Sequence, residues 1–128
     1  MLPAMQTLGW VCLAGAVGSG LRYLIGVGTA RWFGEAFPVG TLVVNVLGCF
    51  AIAVVMHAAT VGSLSETTRV ALATGLLGGL TTYSAFNHET TALLAQRGAG
   101  PGLLNLGVTV VGCLVAGWLG LLLARRIF

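Results

Sequence analysis

Gly75-Leu76-Leu77-Gly78-Gly79-Leu80-Thr81-Thr82-Tyr83-Ser84-Ala85-Phe86-Asn87-His88-Glu89 is the most unusual stretch of this 128-residue chain. Three glycines in five positions are followed by a run of hydroxyls and aromatics. Each glycine weakens a helix by about 1 kcal/mol relative to alanine. The cluster lies inside an uncharged window, residues 70–88, so the expectation is a membrane helix broken at mid-span into two half-helices. Irregular backbone survives at membrane depth only where protein buries it or where it lines a cavity. Carbonyls freed there can coordinate a hard cation such as Na⁺, while the N–H groups of a half-helix N-terminus favour an anion. Interrupted segments of this kind point to an ion site. An intact helix with a glycine-rich packing face is the alternative reading.

The charges around this stretch decide the class. They are Arg22, Arg31, Glu35, Glu66, Arg69, Glu89, Arg97, Arg125 and Arg126, only 7% of the chain, against 57% hydrophobic residues. Mean hydropathy is +0.99. Soluble domains carry roughly a quarter charged residues, so a water-soluble fold is excluded, and with it most cytosolic enzymes. Six arginines with no basic cluster make nucleic acid a poor partner. Four uncharged windows, 1–21, 36–65, 70–88 and 98–124, lie between the charges. Each is near or above the ~20 residues a helix needs to cross ~30 Å of hydrocarbon. The expected architecture is therefore all-α: one domain, 1–128, with spans at roughly 5–27, 38–62, 67–95 and 100–124. No charge precedes Arg22, so the first segment lacks the basic start of a signal peptide and is read as a retained span. Cys12, Cys49 and Cys113 all fall within spans and show no metal-ligand spacing.

Four crossings put both termini on one face. That face holds Arg69, Arg125 and Arg126, and the opposite face holds Arg22, Arg31 and Arg97. Orientation follows arginine and lysine asymmetry, and three against three gives no preference. Insertion in both directions follows, and with it pairing of two opposed copies, unless some other cue orients the chain. Small residues at helical spacing (Gly9, Cys12 and Ala16; Gly112, Ala116 and Gly120) let helices approach closely in lipid.

Several polar residues lie where the bilayer disfavours them. Thr41 and Asn45 are four apart on one face of the second span. Asn45 offers two N–H donors, suited to an anion, and the alternative is an amide that ties one helix to another. Tyr83 and Phe86, three apart, can present positive ring edges to an anion or simply fill the core. Asn105, Thr109 and Cys113 form one polar stripe on the last span, either lining a pore or bonding to a neighbour.

Taken together, Gly-x-x-x-Arg-Tyr at 18–23, Gly-Thr-Leu-x-x-Asn-x-x-Gly at 40–48, and Gly-x-x-Gly-Gly-Leu-Thr-Thr-Tyr-Ser-x-Phe at 75–86 with Glu89 resemble the CrcB/Fluc family of fluoride channels. The resemblance implies antiparallel, dual-topology homodimers of four-helix subunits in the bacterial inner membrane. It implies two pores and passive, fluoride-selective conduction that exports cytoplasmic fluoride. It further implies a structural Na⁺ on the two-fold axis, held by backbone carbonyls of Gly78 and Thr81. The fluoride path would be lined by Asn45, Tyr83, Phe86, Thr41, Thr82, Thr109 and Cys113, with Arg22 at a vestibule. Three positions depart from the family pattern. Tyr83 stands where Phe is usual, Cys113 where serine is more frequent, and Asn105 where a tyrosine can occur.

The chemistry agrees with this expectation. Fluoride is small and strongly hydrated, so a pore must replace its water with donors. No phosphate loop or catalytic dyad is present, and no enzyme activity is expected. The competing reading is a small multidrug-type, proton-coupled antiporter, also a four-helix dual-topology dimer. That chemistry needs a membrane-embedded carboxylate, typically in the first helix, and the first window has none.

Overall fold

A computed structural model describes residues 2–128, and the described residues are almost wholly helical. Helix α1 runs Leu2–Phe33 and α2 runs Val39–Thr60. Helix α3 covers residues 66–80, with a π-helical segment at Ala71–Leu77. After a two-residue break, α4 runs Tyr83–Arg97 and α5 runs Ala99–Ile127. Among the described residues, three helices are long and apolar enough to cross a membrane: Ala4–Phe33, Val39–Thr60 and Ala99–Ile127, with mean hydropathies of 1.4, 2.4 and 2.3. Helix α1 continues past Arg22 and Arg31, so both arginines are carried on a helix rather than in a loop.

Local chemistry explains the ends. Gly98 has φ +89°, a left-handed value that suits glycine, and this one residue turns the chain from α4 into α5. Ser65 caps α3, its hydroxyl accepting from the Thr68 N–H at 3.1 Å.

The interior is small. Val44, Leu77 and Leu80 are buried, with Ile25, Ala51, Ile52 and Val55 packed against them. Large apolar side chains instead face outward on α1 and α5, among them Leu13, Tyr23, Leu114 and Trp118. Water would penalise such a surface at about 25 cal/mol per Å². Lipid does not.

The glycine cluster is where the structure departs from expectation. Residues 75–80 stay helical, and the chain unwinds one turn later, at Thr81 and Thr82. The glycines serve close approach to α1. A Cβ on Gly79 would lie 2.5 Å from the Gly15 carbonyl oxygen, and one on Gly75 2.8 Å from that of Val11. From the other side, a Cβ on Gly18 would lie 2.1 Å from the Leu76 carbonyl oxygen. The backbones of α1 and α3 thus touch, as small residues allow in a bilayer.

Candidate functional site

The break is built by one amide. Thr81 (φ −82°, ψ 156°) and Thr82 (φ −153°, ψ 113°) are extended. In a continuous helix each N–H reaches the carbonyl four residues back, so Thr82 N would bond Gly78 O. It donates instead to Asn45 Oδ1 at 2.8 Å. Asn45 Nδ2 returns the bond to Thr82 O at 3.1 Å. Likewise Ala85 N, the helical partner of Thr81 O, donates to Thr82 Oγ1 at 3.1 Å and so starts α4 with a threonine cap. The two diverted donors are those that a continuous helix would send to Gly78 and Thr81. Gly48, three residues after Asn45, makes room for the break: a Cβ there would sit 2.0 Å from Thr81 Cγ2. The Asn-x-x-Gly spacing of α2 therefore has a physical reading. The amide grips the Thr82 peptide and the glycine admits the Thr81 methyl.

A cavity of about 480 Å³ opens at the break. It is lined by Asn45, Gly48, Cys49 and Ile52 of α2, by Ala73, Leu77 and Gly78 of α3, and by Thr81 and Thr82 of the break. Tyr83 and Phe86 of α4 and Thr109, Val110, Cys113 and Leu114 of α5 complete it. No charged side chain is among these lining residues. Phe86 is buried whereas Tyr83 is 80% exposed, and their ring centroids lie 5.7 Å apart at 60°. Thr109 is 5% exposed, and its Oγ1 is buried without a hydrogen-bond partner. A buried hydroxyl left unpaired costs about 1–3 kcal/mol, and Thr109 thus keeps a donor that the fold of this chain does not use. Asn45 spends its oxygen and one N–H on Thr82, and its second N–H takes no part in that pair.

Eight of the ten site residues named from the sequence share this cavity. The other two lie elsewhere. Thr41 donates to Glu89 Oε1 at 2.7 Å and lines a separate space of about 360 Å³ with Glu35, Glu89 and Arg97. Arg22, half-buried on α1, lines neither cavity. Thr82 is spent locally, its hydroxyl capping α4 and lying 3.2 Å from Ser84 Oγ. Cys49 and Gly48 belong to the lining although the sequence reading did not choose them as site residues. Helical spacing from Asn45 was the signal available for both. The stripe of α5 also divides by function. Asn105 bonds to Thr90 of α4 and is absent from the lining, whereas Thr109 and Cys113 line the cavity.

A sequence model of the family described as CrcB-like protein, Camphor Resistance (CrcB), matches residues 9–121. The chain belongs to the CrcB family. Among CrcB relatives, a protein from Sorangium cellulosum called fluoride-specific ion channel FluC is 44% identical over 124 residues, covering 96% of this chain and 98% of its own length. A protein of the same name from Anaeromyxobacter sp. is 48% identical, covering 94% and 97% of the two chains. Another from Geobacter sulfurreducens is 42% identical, covering 96% and 100%. The break and its Asn45 clamp lie within the residues matched to this family, the relatives reported are called ion channels, and the antiporter alternative gains no support.

Proposed function

We propose that this protein is a passive, fluoride-selective channel that relieves cells of cytoplasmic fluoride. The observation that carries the reading is the cavity at the Thr81–Thr82 break, where an amide, a free hydroxyl, two thiols and two aromatic rings converge without a fixed charge. Dehydrated fluoride needs donors in place of water. The second N–H of Asn45, the unpartnered Thr109 hydroxyl and the ring edges of Phe86 and Tyr83 are suited to that task. A lysine or arginine in the cavity would hold the anion too tightly for conduction, which requires both entry and exit.

Na⁺ fits the backbone chemistry of the break. The oxygens of Gly78 and Thr81 lose their usual helical donors to Asn45 and Thr82, and carbonyl oxygens are hard ligands. Bound there, Na⁺ would supply positive charge beside an anion path and offset the freed carbonyls. The protein's own part is to hold the break open through the Asn45–Thr82 pair.

The assembly we propose is an antiparallel homodimer in the inner membrane, with α3 and α4 together forming a fourth crossing in each subunit. Each half-helix alone, at 1.5 Å per residue, reaches only about 22 Å. Equal arginine counts on the two faces and the outward-facing Tyr83 favour such pairing. Liposomes carrying the purified protein and loaded with fluoride test the function. Efflux driven by a valinomycin-set potential is expected, with chloride retained and no dependence on a pH gradient. Retention of fluoride, or equal loss of chloride, would overturn it.

A further inference from the structure

The cavity has a support on its far side. Asn105 of α5 is 1% exposed, and its Nδ2 donates to Thr90 Oγ1 at 2.8 Å. Thr90 is 7% exposed, and its hydroxyl donates to the carbonyl oxygen of Phe86 at 2.7 Å. One hydroxyl thus accepts from α5 and donates to the residue whose ring walls the cavity. Asn105 also sits one turn before Thr109, the unpartnered donor that α5 contributes to the cavity lining.

This geometry matters because α4 has no rigid link to α3. The chain between them is extended and is pinned through Thr82 to α2, as Glu89 of α4 is through Thr41, but these bonds hold α4 to α2 and none of them ties α4 to α5. Apolar packing of α4 on α5, such as Leu94 over Gly102, is shape-selective but nondirectional. Hydrogen bonds that are fully buried and fully paired hold one geometry.

We infer that the Asn105–Thr90 relay is a positioning device that sets the gap between the Phe86 ring and the Thr109 hydroxyl, and through it the discrimination between fluoride and larger halides. The inference rests on the proposed channel function for its consequence, though not for its geometry. Neither Asn105 nor Thr90 lines the cavity. A helix tie with no bearing on the cavity would lower stability when cut and leave selectivity alone.

The test uses the full-length protein in liposomes with Thr90→Val, Asn105→Leu, the pair combined, and Thr90→Ser. Thr90→Val removes the hydroxyl at constant shape, and Thr90→Ser restores it. Expected is a rise of about tenfold in chloride permeability relative to fluoride for each relay-cutting variant, the scale of losing one or two buried hydrogen bonds. The double variant should be no worse than either single one, and Thr90→Ser should match the wild type. A second readout is independent of flux: ¹⁹F NMR of 4-fluorophenylalanine placed at position 86. Its resonance should move in Thr90→Val and Asn105→Leu and stay in Thr90→Ser. Lowered stability with unchanged selectivity and an unmoved resonance overturns the assignment. So does failure of both single variants to fold, because the relay is then a folding element. A wild type that passes no fluoride defeats the channel reading instead, and the ¹⁹F comparison still decides the relay.

Discussion

Replacing Asn45 separates the two jobs that its amide can do. Asn45→Leu keeps the γ-branched outline and removes both bonds to Thr82, one of 2.8 Å and one of 3.1 Å. Thr82 is 8% exposed, so its N–H and C=O are left without water. Orphaned groups cost about 1–3 kcal/mol each by measurements in water. Hydrogen bonds in membrane proteins average only ~0.6 kcal/mol, with a maximum of ~1.7, because the unfolded chain in lipid finds other partners. Two bonds near the upper membrane value give a loss of about 2–3 kcal/mol. Asn45→Asp keeps an acceptor for Thr82 N but sets a carboxylate oxygen against Thr82 O. An unpaired buried charge costs about 3–5 kcal/mol, so Asp should be the worse variant although it differs by a single atom. Reversible unfolding in mixed detergent measures the first quantity, and fluoride efflux of the folded fraction measures the second. We expect Leu to lower both stability and efflux, and Asp to abolish efflux in an anion path. Unfolding of Asn45→Leu within 0.5 kcal/mol of wild type would refute the clamp, and wild-type efflux from folded Asn45→Asp would refute the pore-lining donor.

Gly79→Ala places a Cβ 2.5 Å from the Gly15 carbonyl oxygen, and the α1–α3 contact should lose about 1–3 kcal/mol on overpacking. Gly20→Ala meets nothing within 4 Å and should stabilise α1 by up to about 1 kcal/mol; the same detergent unfolding checks both. Ala99→Lys with Gly100→Lys adds two positive charges at exposed positions on one face, and should bias insertion to a single orientation. Such a chain alone should lose efflux and regain it with an oppositely biased partner, so full activity from the single orientation would remove the antiparallel dimer. The Arg69 guanidinium holds the carboxyl of Glu66 below its ordinary range. The pair's contribution is therefore present above that range and fades as pH falls through the lowered value. Being exposed, it should be slight, and Arg69→Ala should flatten the acid limb of a stability-against-pH curve without altering flux near neutrality.

Class and site were legible in the residues to different depths. Nine charges spaced along an apolar chain dictate membrane helices, because lipid leaves the backbone no other partner than itself. The run of glycines, threonines and aromatics marked the interrupted segment for the same reason. Where the interruption falls was not legible locally. Glycine propensity points to 75–79, but those residues meet α1, a surface that exists only after packing, and the unwinding passes to Thr81–Thr82. Asn45 is 37 residues from Thr82, and nothing within α2 tells its side chain whether to bond a peptide or an ion. Thr41 and Asn45 share a helix face yet serve different cavities, since Glu89 takes the hydroxyl of one and Thr82 takes the amide of the other. In the same way Asn105 and Thr109, identical in periodicity, part company when Thr90 satisfies the first and leaves the second unpaired. Short-range chemistry chose helices and lipid. Which polar group is spent on the fold and which is left for a ligand depends on neighbours brought together from distant parts of the chain.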